Sequence, residues 1–91
     1  MRIRWTPAAA NDLETIKDYL VKHSPRLAQP TVVELYETIR SLKKFPHSGR
    51  LGREAGTREL VFTRLPYIAV YRIRDECVEV LRIYHGAQER V

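Results

Sequence analysis

The apolar positions of the chain change rhythm three times. Arg2-Ile3-Arg4-Trp5 alternates strictly, which predicts a short strand with Ile3 and Trp5 on one face. Thr6-Pro7 then predicts a helix start. The Thr6 hydroxyl can cap the first turn, and Pro7 suits the first helical position because its missing N–H has no partner to lose there. Ala9, Leu13, Ile16 and Leu20 follow on one helical face, with Asp12, Glu14, Lys17, Asp18 and Lys22 on the other, and the helix is expected to end near His23. Ser24-Pro25 repeats the start signal, and Ala28, Val32, Leu35, Ile39 and Leu42 make the second stripe. Pro30 lacks the N–H that would bond the Arg26 carbonyl. An irregular first turn is therefore expected, with regular helix from about Thr31 to Lys44.

From Thr57 to His85 the rhythm changes to strands. Leu60 and Phe62 share one side of the first, Tyr67 to Ile73 is a second run, and Val78 to Tyr84 is a third. Arg64-Leu65-Pro66 and Asp75-Glu76 are breaks of hairpin length. The order β-α-α-β-β-β predicts an α+β domain, an antiparallel sheet with a helical hairpin packed on one face. The last three strands are expected to form a meander, with the first strand at the edge beside the 57–63 strand. Ala69, Tyr71 and Ile73 fall on one side of the middle strand, and Ile68, Val70 and Arg72 on the other. In the last strand Leu81 and Ile83 oppose Val80, Arg82 and Tyr84, unless a bulge intervenes near His85. Unpaired arginines are costly to bury against helices, which assigns Arg72 and Arg82, with Tyr84, to the open face. Phe45 to Gly56 is the one long loop and holds three of the four glycines.

Composition narrows the class. Ninety-one residues are expected to form one domain, 1–91, and 44% hydrophobic with 30% charged residues fits a soluble globular chain. No apolar run approaches the roughly 20 residues that span a bilayer. The N-terminal residues lack a signal-peptide core, so a cytoplasmic protein with no membrane partner is expected. The lone Cys77 excludes an internal disulfide and reads as a small packing residue. The net charge of +5 is uneven: Lys43 to Arg74 carries eight basic and two acidic residues. Such a segment attracts phosphate or an acidic protein surface, or is a solvated face that aids solubility.

The motifs of familiar catalysts are absent. There is no phosphate-binding glycine loop, dinucleotide fingerprint, metal-binding Cys/His spacing or nucleophile elbow, and no cofactor or metal is expected. The candidates that remain are Arg58, Arg72, Arg82, Tyr84 and His85, with Arg50 and Arg53 in the basic loop. Cleaving RNA through its own 2′-hydroxyl needs a base, an acid and cations for the developing charge. His85 and Tyr84 could serve as acid and base, with Arg82 as the cation. Alternatively, Tyr84 is an amphipathic strand residue and His85 a strand-end residue bonded to backbone. The arginines would then pair with Glu59 or Glu79 on neighbouring strands. Arg50, Arg53, Arg58 and Arg72 are the candidates for contact with a target or nucleic acid, Arg58 leaning toward fixing the loop.

Several segments, taken in order, resemble the RelE/ParE superfamily of toxins from type II toxin–antitoxin modules. They are W-T-P-A-A-A-N-D-L at 5–13, L-K-K-F-P at 42–46, G-T-R-E-L-V at 56–61, P-Y-I-A-V-Y-R-I at 66–73 and V-E-V-L-R-I-Y-H-G-A-Q at 78–88. The resemblance implies the β-α-α-β-β-β fold, growth arrest, and a cognate antitoxin that wraps the toxin and through which alone operator DNA is bound. RelE-like members cut mRNA on the ribosome; ParE-like members bind DNA gyrase without being nucleases. The RelE pattern places lysines on the open face of the 57–63 strand, where this chain has Glu59 and Val61. It places an arginine after the aromatic of the next strand, where Ile68 follows Tyr67, and another at the position of Gln88. Tyr84-His85 resembles the strand-end pair of some ribosome-dependent relatives. The departures favour a ParE-like gyrase inhibitor, with a ribosome-dependent endoribonuclease or a non-toxic antitoxin-binding relative as alternatives.

Overall fold

The computed structural model describes residues 1–86. Strand β1 (Arg2–Trp5) leads into helices α1 (Pro7–His23) and α2 (Pro25–Arg40), a 3-10 turn (Ser41–Lys43), and strands β2 (Arg50–Leu51), β3 (Arg58–Val61), β4 (Tyr67–Arg74) and β5 (Cys77–His85). The five strands make one sheet in the order β1-β5-β4-β3-β2, antiparallel except where β1 runs parallel to β5. The α+β class and the helical hairpin on one face are as the sequence implies.

The position of β1 corrects the expected topology. It lies beside the last strand, not the 57–63 strand, with Ile3 opposite Val78 and Trp5 opposite Val80. The hairpin of helices carries the chain across the sheet, and the parallel pairing buries Ile3 and Trp5 against the same core as Val78 and Val80. The expected edge was already taken by β2, which forms within the long loop and pairs with β3 through Arg50–Glu59 and Leu51–Arg58.

Helix α2 also departs from expectation, starting at Pro25 and running through Pro30. A proline at the sixth position removes one hydrogen bond near the start of the helix. Burial of Ala28, Leu35 and Ile39 outweighs that loss, since each large aliphatic side chain contributes roughly 1.5–3 kcal/mol when fully buried. The last predicted turn tightens to 3-10 geometry at Ser41–Lys43 and buries Leu42. Leu35, Ile39 and Leu42, together with Ala9, Leu60, Phe62, Tyr67, Ala69, Tyr71, Val78, Val80 and Ile83, form a core between the helices and one face of the sheet.

The register of β5 against β4 slips between Val70 and Tyr71, because Val70 pairs with Arg82 and Tyr71 with Val80. Leu81 is the extra residue of a bulge. Val80 therefore points into the core, fully buried, where simple alternation had placed it on the open face, and Leu81 turns outward. Thr6 fixes this bulge. Its hydroxyl oxygen caps α1 by accepting from the Ala9 N–H at 3.2 Å. The same hydroxyl lies 2.9 Å from the Val80 carbonyl and 3.1 Å from that of Leu81, while the Thr6 N–H donates to Val80 at 3.1 Å.

Candidate functional site on the open face of the sheet

The face away from the helices is polar and built in rows across the strands. In one row, Glu79 on β5 lies between Arg4 on β1 and Arg72 on β4. Arg72 Nε donates to Glu79 at 2.7 Å, and Arg4 donates to its other oxygen. Glu79 is 6% exposed, and the hydrogen bonds from Arg72, then Arg4, hold its carboxyl below the usual range. In the other row, Arg50 on β2 donates through two nitrogens to Glu59 on β3, at 3.0 and 2.9 Å. Glu59 is also buried, and it is followed in register by Val70 and Arg82. Each acidic residue sits in a predominantly apolar strand, a pattern that signals a buried carboxylate needing cationic partners.

Along this second row lies a hollow of about 290 Å³, lined by Arg53, Glu59, Val70, Leu81, Arg82 and Tyr84 among others. The Arg82 guanidinium stands 5.5 Å from the centroid of the Tyr84 ring. It is not an unengaged cation. Its Nε and a terminal nitrogen donate to Asp12 on α1 at 2.8 and 3.0 Å, and the Ile83 N–H donates to the same carboxylate at 2.9 Å. These bonds raise the Arg82 pKa further. Asp12 thus ties α1 to β5 just past the bulge. Sequence reasoning placed it on the solvent side of the helix, and nothing local in the sequence marks it otherwise.

The other candidates separate. Tyr84 opens onto the hollow, whereas His85, the next residue, lies with Ile83 on the helix side of the sheet. There the His85 ring meets that of Tyr67 edge-on at 5.6 Å and 81°, at a groove shared with Asp12, Ile16 and Tyr19. Burial, and secondarily Tyr19, raise the Tyr67 phenol above its usual pKa, so it is neutral at physiological pH. Arg58 donates to the carbonyls of Gly49 at 2.8 Å and His47 at 3.3 Å. Tyr71, fully buried, pins the same loop: its hydroxyl accepts from the Gly49 N–H at 2.9 Å and donates to the Pro46 carbonyl at 2.7 Å. Arg53 lines the hollow and makes no ion pair among the described residues. Gln88, the third position at which the sequence departs from the RelE pattern, lies outside the described residues. Among the described residues there is no metal-ligating cluster, and no helix is long and apolar enough to cross a membrane.

Comparison with known proteins adds a lineage to this geometry. Residues 3–90 match the family model described as the ParE toxin of type II toxin–antitoxin system, parDE. The chain is 41% identical over 88 residues to putative toxin Y4kP of Sinorhizobium fredii, covering 97% of this chain and 91% of that one. It is 38% identical over 87 residues to toxin RelE2 of Caulobacter vibrioides, covering 96% and 97%. Among solved structures it resembles a chain of the chromosomal ParDE system of P. aeruginosa, with a TM-score of 0.86 and 31% identity over 93% of this chain and 95% of that one. It also resembles a chain of the RelBE2 toxin–antitoxin complex of Mycobacterium tuberculosis, with a TM-score of 0.64 and 29% identity over 92% and 95%.

Proposed function

The chain belongs to the ParE toxin family of type II toxin–antitoxin systems, within the RelE/ParE superfamily, and from that premise we propose that it arrests growth by binding and inhibiting DNA gyrase. A cognate antitoxin neutralises it, and operator DNA is reached only through that antitoxin. The RelBE2 relative, solved as a toxin–antitoxin complex, and the relative from a ParDE system support the antitoxin as partner.

The observation that carries the binding mechanism is the split between Tyr84 and His85. An acid and a base for RNA cleavage must bracket one phosphate. Here the phenol opens on one side of β5 and the imidazole on the other, and Arg82 is engaged by Asp12. Glu59, buried in the hollow, adds negative charge where a nuclease of this superfamily would want lysine. On this reading the open face, with Arg53 and Arg72, is a docking surface, and Arg50 and Arg58 hold its loop in place.

Growth arrest by His85→Ala tests the proposal. Expression of the variant without antitoxin is expected to arrest cells as the unaltered chain does. Loss of arrest by a variant that stays folded and still binds its antitoxin would point instead to cleavage chemistry.

A further inference from the structure

One end of the open face carries more arginine than its ion pairs use. Arg2 and Arg4 are two residues apart on β1, as are Arg72 and Arg74 on β4, so each pair shares a face. The register sets Arg2 and Arg74 on either side of Cys77, and Arg4 and Arg72 on either side of Glu79. The Cα atoms of four arginines therefore mark the corners of a rectangle, with the Arg4 and Arg72 guanidiniums drawn inward onto the Glu79 carboxylate. Its sides are about 6.7 Å along the strands and about 9.6 Å across them. Arg2 and Arg74 are exposed, and among the described residues neither makes an ion pair.

We infer that this rectangle docks an extended acidic segment of a partner protein, lying along β5 with alternate carboxylates reaching the β1 and β4 arginines. Side chains two apart in an extended chain repeat at about 6.7 Å, the spacing of each arginine pair. Arginine's planar fork suits carboxylates held at fixed positions. The carboxylate of Glu79 favours peptide over nucleic acid. A peptide backbone over the centre offers N–H donors to it, whereas a phosphodiester chain carries its charge along its own axis. No aromatic residue stands among the six positions to stack a base. The inference is independent of the toxin's target and holds whether or not gyrase is inhibited.

The test is an NMR titration of the full chain with the capped peptide Gly-Glu-Glu-Glu-Glu-Gly and, separately, with pentathymidylate, which carries four phosphates. Peptide-induced shifts are expected at the amides of β1, the Arg72–Arg74 segment and Cys77–Glu79. The Arg2→Ala/Arg74→Ala double variant, which removes no ion pair, is expected to weaken peptide binding about tenfold. Lys22→Ala/Arg64→Ala, with the same loss of charge elsewhere, should leave it within about twofold. Thermal melts verify that both variants are folded. Equal weakening by the two double variants, tighter binding of the oligonucleotide at these amides, or no shifts at millimolar peptide would each overturn the inference.

Discussion

Replacing Tyr71 with phenylalanine isolates what one hydroxyl does for the open face. The ring is fully buried and is retained, so no cavity opens. The bonds lost are those to the Gly49 N–H at 2.9 Å and the Pro46 carbonyl at 2.7 Å. Each such bond contributes about 1 kcal/mol net, and a buried donor left unmet costs about 1–3 kcal/mol. Pro46 is half-exposed and its carbonyl can turn to water, but Gly49 is buried. The expected destabilisation is therefore about 2–3 kcal/mol. The effect should be local as well as global. The loop positions Arg50 against Glu59, and Arg58 donates to the carbonyl released with Gly49. Urea denaturation measures the first effect, and amide exchange at Gly49 relative to the core of β4 and β5 measures the second. A loss below about 0.5 kcal/mol with unchanged Gly49 exchange would refute the claim that Tyr71 holds the loop, because a typical single bond is worth more than that.

Three further outcomes are expected. Because the folded Glu79 pKa is depressed, the unfolded chain takes up its proton first as pH falls. This group's contribution is complete above about pH 5 and is lost through the ordinary carboxylate range and below it. Melts from pH 7 to pH 3 should show Glu79→Gln less stable at neutrality and with a shallower acid decline. Asp75 and Glu76 both adopt positive φ, 52° and 57°, in the β4–β5 turn. Glu76→Gly should thus raise stability by about 0.5–1 kcal/mol in denaturant titrations, and a loss would contradict the left-handed assignment. Asp12→Ala removes both Arg82 bonds and leaves the Ile83 N–H unmet, and should cost about 1–2 kcal/mol after allowing for the exposure of Arg82.

Local pattern carried most of the architecture into view. The helical stripes of Ala9–Leu20 and Ala28–Leu42, the Thr6 cap and the Asp75-Glu76 turn all rest on contacts within a few residues, and all form. What escaped depends on distant partners. The parallel pairing of β1 with β5 joins residues 75 apart, and the alternation of Arg2–Trp5 is equally compatible with either sheet edge. The bulge at Leu81 is held by Thr6, so no feature of β5 alone reveals that Val80 turns inward. The same slip governs the candidate site. Arg82 and Tyr84 face outward because of it, but the Asp12 that engages Arg82 comes from the first helix. Pairing of arginines with Glu59 and Glu79 was legible as an option, since carboxylates in apolar strands need cations. The convergence of Arg4 and Arg72 on a single Glu79 required the register.

The proposal that this toxin acts through a binding surface is tested most directly by adding purified chain, freed of antitoxin, to a gyrase supercoiling reaction, with a parallel translation reaction in which message ends are mapped. Inhibited supercoiling with intact message is the predicted result. Undiminished supercoiling with cleaved message would contradict it.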